Sequence, residues 1–243
     1  MRLSPPDIAS LERATVEAFA PVELVEIGDW LVPLDTGTIA RAKSAVPLHH
    51  AVGPEAIPEI EAAFQARGLK AGWRVAEAPG LRRTTAELAR KGYQSEQPTL
   101  VMVADAHDVA AIAPPFADLL DKPDKAWGEV FAGEGFDAED GAFRVARLTQ
   151  APDALYGAVR EGGRTTAVGV VSFGHGWAGI HGMRTSLDRR GAGLASRLIA
   201  LFGAAALARQ VSRVVLQVAE GNRAQALYRR AGFQEAWRYR YWK

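Results

Sequence analysis

Apolar residues in the first half of the chain alternate between helical and strand spacing. Residues 5–19 begin with two prolines and an aspartate and then place apolar side chains three or four positions apart, which is typical of an amphipathic helix. The pattern predicts a helix over 5–19, a hairpin of strands 29–34 and 38–46, a helix over 54–67, a strand over 73–78, a helix over 81–91 and a strand over 99–104.

The second half of the chain shows the same alternation of helices and strands. The turn Glu161-Gly162-Gly163 predicts a hairpin, so this half should contain an antiparallel sheet. Residues 213–219 are almost continuously apolar, as in a strand covered on both faces. The predicted order is a helix over 116–131, an acidic loop over 133–141, strands over 143–148, 154–160, 166–173 and 177–185, a helix from 194 to about 210, a strand over 213–219, a helix over 222–231 and a strand over 234–242.

Two separate stretches of sequence resemble each other. VAEAPGLRRTTAELARKGYQ at 75–94 parallels VAEGNRAQALYRRAGFQ at 218–234, and each contains a strand, a turn, a helix and Gly-aromatic-Gln. We therefore predict an α/β (α+β) protein with two related halves, each a mixed, mostly antiparallel twisted sheet flanked by helices. The predicted boundaries are 1–104 for the first half, 105–115 for an Ala/Asp/Pro-rich linker and 116–243 for the second half.

The segment 179–201 predicts an anion site. A strand leads through Arg190-Gly191-Ala192-Gly193 into a helix, whose first backbone N–H groups have no partner within the helix. Glycines let a phosphate approach the backbone closely, and Arg190 adds charge-assisted hydrogen bonds. The first half has no such sequence before its helix at 54–67, so we expect one phosphate-bearing ligand per chain.

Composition excludes several classes of function. The chain has no cysteine, which removes disulfides, thiolate metal sites and cysteine nucleophiles, and its five histidines form no HExxH pair, so no metal site is predicted. A net charge of +1 provides no basic footprint for nucleic acid. The longest apolar run, 198–208, is too short to span a bilayer. We expect a cytoplasmic protein with neither nucleic-acid nor membrane partners.

Two phosphate-binding motifs compete for the glycine-rich segment. A triphosphate-binding P-loop requires Gly-Lys-Ser/Thr, which does not occur in the sequence. A dinucleotide-binding fold is imitated by Gly191, Gly193 and Ser196, with Glu220 at the end of the next strand. Only 23 residues follow Glu220, too few for the remaining strands of that fold. An NAD(P)-binding protein is therefore a distant alternative.

The glycine-rich segment and the helix after it resemble those of the GCN5-related N-acetyltransferases (GNAT). Met183-x-Thr185 followed by RGAGLA at 190–195 is similar to the acyl-CoA signature Arg/Gln-x-x-Gly-x-Gly/Ala of that family. NRAQALYRRAGF at 222–233 resembles the second signature, in which an Asn precedes a helix bearing Leu-Tyr and ending in Gly-Phe. The resemblance covers 116–243 and extends to the first half as a degenerate copy, which implies a tandem GNAT protein.

The resemblance implies that acetyl-CoA is the donor and that its acetyl group passes to a primary amine by direct attack. The Met183 N–H would face the thioester carbonyl, the Thr185 backbone would pair with pantetheine, and the segment 190–196 would hold the pyrophosphate. Asn222 stands six residues before Tyr228, where the family usually has seven. The predicted contacts to acetyl-CoA are Met183, Arg184, Thr185, Arg190, Gly191, Ala192, Gly193, Leu194, Ala195, Ser196, Asn222 and Tyr228.

Acetyl transfer also needs an acid for the leaving thiolate and a base for the amine. Tyr228 is the candidate acid. His181 is the first candidate base, because on an extended strand it would share a face with Met183 and Thr185; Glu220 and water are the alternatives. The acceptor is expected to be a small-molecule or peptide amine, and the protein a monomer or homodimer. A non-catalytic acyl-CoA-binding module is the competing interpretation.

Overall fold

The computed structural model describes residues 3–133, 135 and 137–243. The helices within this part of the chain are α1 Pro5–Glu17, α2 Ile57–Gln65, α3 Arg82–Arg90, α4 Ala106–Ala111, α5 Lys125–Phe131, α6 Ala138–Leu148, α7 Leu194–Ala208 and α8 Gln225–Arg230. The strands are β1 Glu23–Ile27, β2 Trp30–Leu34, β3 Val46–Pro47, β4 Trp73–Ala76, β5 Ser95–Asp105, β6 Asp118–Leu120, β7 Ala154–Glu161, β8 Arg164–Gly174, β9 Trp177–Thr185, β10 Arg213–Ala219 and β11 Gln234–Trp242.

The strands form a large sheet and a small one. The large sheet has eight strands in the order β4-β11-β5-β10-β9-β8-β7-β6, and the small sheet has the order β1-β2-β3. All strand pairs are antiparallel except β9 and β10, which are parallel. A parallel bridge between Ala45 and Trp73 connects the small sheet to β4. This mixed, mostly antiparallel arrangement with flanking helices confirms the predicted fold class.

The same order of strand directions occurs twice along the chain. β1, β2 and β3 are successively antiparallel, and Ala45, next to β3, then forms a parallel bridge with Trp73 of β4. β7, β8 and β9 are likewise successively antiparallel, and β10 follows in parallel. The next strand on each side comes from the opposite part of the chain: β11 pairs with β4, and β5 pairs with β10. The two parts therefore share their central strands.

Helices α7 and α4 pack together against one face of the large sheet. Leu194, Leu198 and Phe202 of α7 are buried in an apolar cluster that also contains Val109 of α4. A Cβ on Gly203 would lie 2.5 Å from the backbone nitrogen of Ala110, so only glycine allows this close approach. None of the helices in the described residues is long and apolar enough to cross a membrane.

The predicted hairpin in the first half is shifted towards the N-terminus. The hairpin consists of β1 and β2, which turn at Gly28 with a φ of +56°, whereas the predicted strand over 38–46 contains a short 3₁₀ helix at Ala40–Lys43. Gly28 was a usable signal for this turn, but we expected the turn at 35–37 instead. The prediction for 38–46 is therefore wrong.

Two stretches of the second half also differ from prediction. Residues 143–148, predicted as a strand, belong to α6, whose first turn is capped by Asp137: the Asp140 N–H donates to its Oδ1 at 2.7 Å. The predicted helix over 116–131 is divided into β6 and α5 around Pro123, where Asp124 caps α5 by accepting the Trp127 N–H at 2.8 Å. Local capping and proline chemistry override the apolar spacing at these places.

The stretch predicted as a linker, 105–115, contains α4. Its residues Ala106 and Val109 are fully buried, so this stretch is packed rather than exposed. Because β5 lies between β10 and β11, the sheet does not separate at residue 105. The division into two related halves remains a prediction. In either half, one strand pairs with a strand of the other half: β10 with β5, and β4 with β11.

Candidate active site

A cavity opens where β9 and β10 stop pairing. Their parallel pairing covers only Ala178–Ile180 of β9 and Val214–Leu216 of β10, although both strands continue beyond it. The cavity of about 240 Å³ lies next to this point and is lined by residues from both strands, including Met183 and Ala219. Of the predicted site residues, the cavity brings together His181, Met183, Arg184, Asn222 and Tyr228.

A β-bulge at Gly182 determines which side chains reach each face of β9. Val168 pairs with Arg184 and Val170 with His181, so β9 has one residue more than β8 between these pairs. The bulge places His181 and Arg184 on the same face. The Met183 sulfur lies on the other face, near Phe202 and 2.4 Å from where a Cβ on Gly169 would stand. The prediction that His181 shares a face with Met183 and Thr185 is wrong.

The backbone between β9 and α7 has open donors. Gly191 and Gly193 have φ values of +82° and +76°, and a Cβ on either would meet nothing within 4 Å. The N–H groups of Gly191, Gly193, Leu194 and Ala195 make no backbone hydrogen bond outside the helix among the described residues. Both the left-handed conformation and the open space suit an anion that approaches the main chain.

Arginine side chains around this loop have different partners. Arg189 and Arg197 both contact the Glu161 carboxylate, at 2.6 Å and 3.3 Å. Arg190 is exposed and has no ion-pair partner among the described residues. Its guanidinium is therefore available to an anion at the loop.

His181 is held as a neutral imidazole. Its Nε2 lies 2.8 Å from Ser172 Oγ, and its ring packs against Phe19 with centroids 4.9 Å apart. Burial, with a smaller contribution from the positive charge of Arg41, lowers the pKa of His181 to about 3. Its Nδ1 is buried and has no hydrogen-bond partner among the described residues.

Tyr228 and Asn222 line the same cavity from the opposite side. The Tyr228 ring packs edge-on against Phe233 at 6.1 Å, and burial raises the pKa of Tyr228. The phenol therefore stays protonated at neutral pH and can donate a proton. Asn222 is held in the turn before α8, where its Oδ1 accepts the Ala224 N–H at 2.9 Å.

Glu220 and the described acids of the predicted acidic loop over 133–141 lie away from the cavity or already have partners. Glu220 is exposed, forms an ion pair with Arg238 at 2.7 Å and does not line the cavity. Asp140 pairs with Arg144 at 2.6 Å, and Asp137 caps α6. Glu134 of the predicted acidic loop lies outside the described residues. No group of three or more potential metal ligands occurs among the residues described.

The sequence did not indicate one wall of the cavity. Phe19, Ile39 and Arg41 reach it from the first half, whereas Phe131, Arg144 and Leu148 come from α5 and α6. These residues belong to distant stretches that only the tertiary fold brings together. No local motif marks them.

A family model described as "Probable histone acetyltransferase Rv0428c C-terminal" matches residues 6–242. Because this match spans nearly the whole chain, the chain belongs to that family. Among curated protein sequences, none matches.

Solved structures share the fold at low sequence identity. A GCN5-related N-acetyltransferase from Kribbella flavida has a TM-score of 0.70 and 16% identity, over 100% of this chain and 95% of that chain. One from Sphaerobacter thermophilus has a TM-score of 0.57 and 16% identity, over 99% and 93%. A tandem GNAT protein from the clavulanic acid biosynthesis pathway has a TM-score of 0.59 and 16% identity, over 88% and 76%.

Proposed function

We propose that the chain is an N-acetyltransferase that moves an acetyl group from acetyl-CoA to a primary amine by direct attack. The observation that carries this proposal is the combination of three features at one place. β9 and β10 stop pairing, an open backbone loop follows β9, and the phenol of Tyr228 lines the cavity between the strands.

The residues fit a CoA ester. The pyrophosphate would bind the segment 190–196, where positive φ at Gly191 and Gly193 turns open N–H groups outward. Pantetheine would run along β9 past Met183, Arg184 and Thr185 towards the cavity, and Asn222 would border it from the turn before α8. The fit favours CoA over NAD(P). A dinucleotide-binding sheet is mostly parallel, whereas β9 and β10 form the one parallel pair among the described strands of this sheet.

Acetyl-CoA supplies an activated thioester. In the transfer, the amine nitrogen forms a bond to the acetyl carbon and the C–S bond breaks. The nitrogen loses one proton and the sulfur gains one. We assign the sulfur's proton to Tyr228, whose raised pKa keeps the phenol protonated. The Met183 backbone N–H is assigned to the carbonyl oxygen as it gains negative charge.

The amine's proton is assigned to His181, either directly or through water. The neutral imidazole can accept a proton, but a pKa of about 3 makes it a weak base. Its contribution should therefore be small, and much of the amine must arrive already deprotonated. Glu220 is not included, because it does not line the cavity.

The two halves are proposed to arise from a tandem duplication. The repeated strand directions and the parallel sequences at 75–94 and 218–234 support this origin. The second half would bind acetyl-CoA, and the first half would complete the acceptor side with Phe19, Ile39 and Arg41.

The test is release of free CoA thiol from acetyl-CoA across a panel of primary amines, followed by mass analysis of the acetylated product. We expect release that depends on both the chain and the amine. Acetyl-CoA binding without release from any amine would identify a non-catalytic acyl-CoA-binding module. Thermal stabilisation by NAD(P) without stabilisation by CoA would overturn the assignment altogether.

A further inference from the structure

We infer that the amine acceptor also carries a carboxylate, and that Arg41 is the residue that binds it. The inference depends on the proposed acetyl transfer, because that proposal assigns the cavity beside His181 to the acceptor. It specifies the chemical class of acceptor at that site. It also assigns a role in substrate recognition to the half of the chain that has no CoA loop.

The ionisable side chains that line the cavity are cationic or neutral. Arg41, Arg144 and Arg184 line it, and no aspartate or glutamate among the described residues does. His181 adds no negative charge, because its imidazole is neutral. A simple ammonium would therefore enter a site that repels it, whereas a carboxylate would be attracted.

Arg41 lies beside His181 and has no carboxylate of its own. It has no ion-pair partner within 4 Å among the described residues, and its Nε is buried without a hydrogen-bond partner there; the phenols of Tyr239 and Tyr241 beside the guanidinium are uncharged. Glu12, the acid whose charge acts on Arg41, is bound directly to Arg74 at 2.5 Å. One carboxylate thus serves two guanidinium groups, and a bound anion would supply the missing charge.

The charges of the other two arginines are balanced to different degrees. Arg144 is neutralised by Asp140 at 2.6 Å. The Arg184 guanidinium lies 4.5 Å from the Phe131 ring centroid, and its Nη1 donates to the neutral Phe131 carbonyl at 3.1 Å. Burial lowers the pKa of Arg184 most, the charge of Arg144 lowers it further, and the charge of Asp140 raises it. A carboxylate bound in the cavity would stabilise the charged form of this partly buried guanidinium.

The size of the cavity restricts the acceptor further. A volume of about 240 Å³ suits a molecule of amino-acid size better than a folded or extended protein segment. Arginine binds carboxylates with paired N–H donors, which would fix the amine's orientation towards the thioester. The acceptor class is therefore a small amine that also bears a carboxylate, such as an α-amino acid.

The first experiment compares matched acceptors with the full chain and acetyl-CoA. Each pair consists of an α-amino acid and the amine left by removing its carboxyl group, and a lysine-rich basic peptide is included. We expect kcat/KM to be about 10²-fold higher for the amino acid of at least one pair. Equal or faster reaction of every decarboxylated amine, or preference for the basic peptide, would overturn the inference.

Variants then locate the carboxylate contact. Arg41→Gln should lower kcat/KM for the preferred amino acid by about 10²-fold, which removes the gap in kcat/KM between that amino acid and the decarboxylated amine. Arg41→Lys should restore part of the gap, because it keeps the charge. Arg83→Gln is the control, since Arg83 is exposed, pairs with Glu55 and does not line the cavity. An unchanged gap in a folded Arg41→Gln protein would remove Arg41 from this role.

The carboxylate could instead belong to the acyl group. Replacing acetyl-CoA with succinyl-CoA separates the two sources, because its acyl group carries a carboxylate of its own. Preference for succinyl-CoA, without any preference among the acceptor pairs, would overturn the assignment to the acceptor.

Direct binding separates this inference from the proposed acetyl transfer. Calorimetry with N-acetyl amino acids and the matching N-acetyl amines requires no turnover. If no amine reacts but the N-acetyl amino acids bind about 10-fold tighter than the matching N-acetyl amines, the proposed acetyl transfer is wrong and the inferred carboxylate recognition stands. Equal binding of both sets would contradict the inference whatever the turnover.

Discussion

The two halves of the chain have the same order of strand directions but differ at the start of the helix that follows the third strand of each. Before α7, Gly191 and Gly193 leave open space above the backbone. Before α2, the Glu55 carboxylate covers the backbone, and a Cβ on Gly53 would lie 1.9 Å from its Oε2. An anion would meet donors in one half and a negative charge in the other.

The helix before the last strand of each half differs in the same way. Aligning the repeated sequences places Leu88 of α3 opposite Tyr228 of α8. Leu88 is fully buried in the core, whereas Tyr228 borders the cavity with its phenol. The difference supports the proposal that the halves have separate roles: the first half contributes strands and one wall of the cavity, and the second half contributes the open backbone loop and the phenol.

Separating the halves should have the largest effect. A fragment of residues 116–243 lacks β5, which pairs with β10 over Arg213–Ala219, and so exposes that strand's apolar edge. We expect the fragment alone to aggregate or remain unfolded by circular dichroism and size-exclusion chromatography. Co-expression with residues 1–115 should restore a folded complex. A monomeric fragment that binds acetyl-CoA normally by itself would contradict the shared-strand arrangement.

Removing the phenol should reduce turnover without affecting the fold. We expect Tyr228→Phe to lower kcat by about 10³-fold while acetyl-CoA affinity changes little, because general acid catalysis contributes about 10²–10⁴-fold. The control from the first half is Tyr93→Phe, whose hydroxyl donates to Glu61 at 2.9 Å and should not affect kcat. Full turnover by Tyr228→Phe would remove the residue from the acid role.

Each half also contains one partly buried histidine with a lowered pKa. Burial, followed by His49, lowers the pKa of His50 to about 4, and burial lowers that of His181 to about 3. Unfolded histidine titrates near 6.5, so each contributes stability that is fully present above pH 6.5 and is lost as pH falls towards its folded value. Glutamine at either position should weaken this acid sensitivity by about 2–4 kcal/mol in chemical unfolding between pH 7 and pH 4.

Turnover should distinguish the two histidines. His181→Gln should lower kcat by about 10-fold, less than a base with a pKa near neutrality would cause. His50→Gln should leave kcat unchanged, because His50 packs against Trp237 outside the cavity. Identical turnover of wild type and His181→Gln would show that water, and not His181, accepts the amine's proton.

The sequence predicted the elements that hold the site better than the site's walls. β9, α7 and β10 follow from strong apolar patterns and glycine punctuation, which are local signals. The face of His181 was predicted wrongly because Gly182 forms a bulge, although an isolated glycine in a strand is a usable signal for one. Phe19 and Arg41 could not be predicted, because they reach the cavity only through packing between distant segments.

The most direct measurement is calorimetric titration of the full chain with acetyl-CoA, using one glycine variant from each half. We predict one molecule bound per chain and a Kd raised at least about 10²-fold by Gly193→Asp, which adds a side chain and a negative charge at the open loop. Gly92→Asp imposes a similar change at a φ of +95° in open space, and it should leave the Kd unchanged. Two molecules of acetyl-CoA bound per chain, or a Kd that Gly193→Asp leaves unchanged, would contradict a single acetyl-CoA site in the second half.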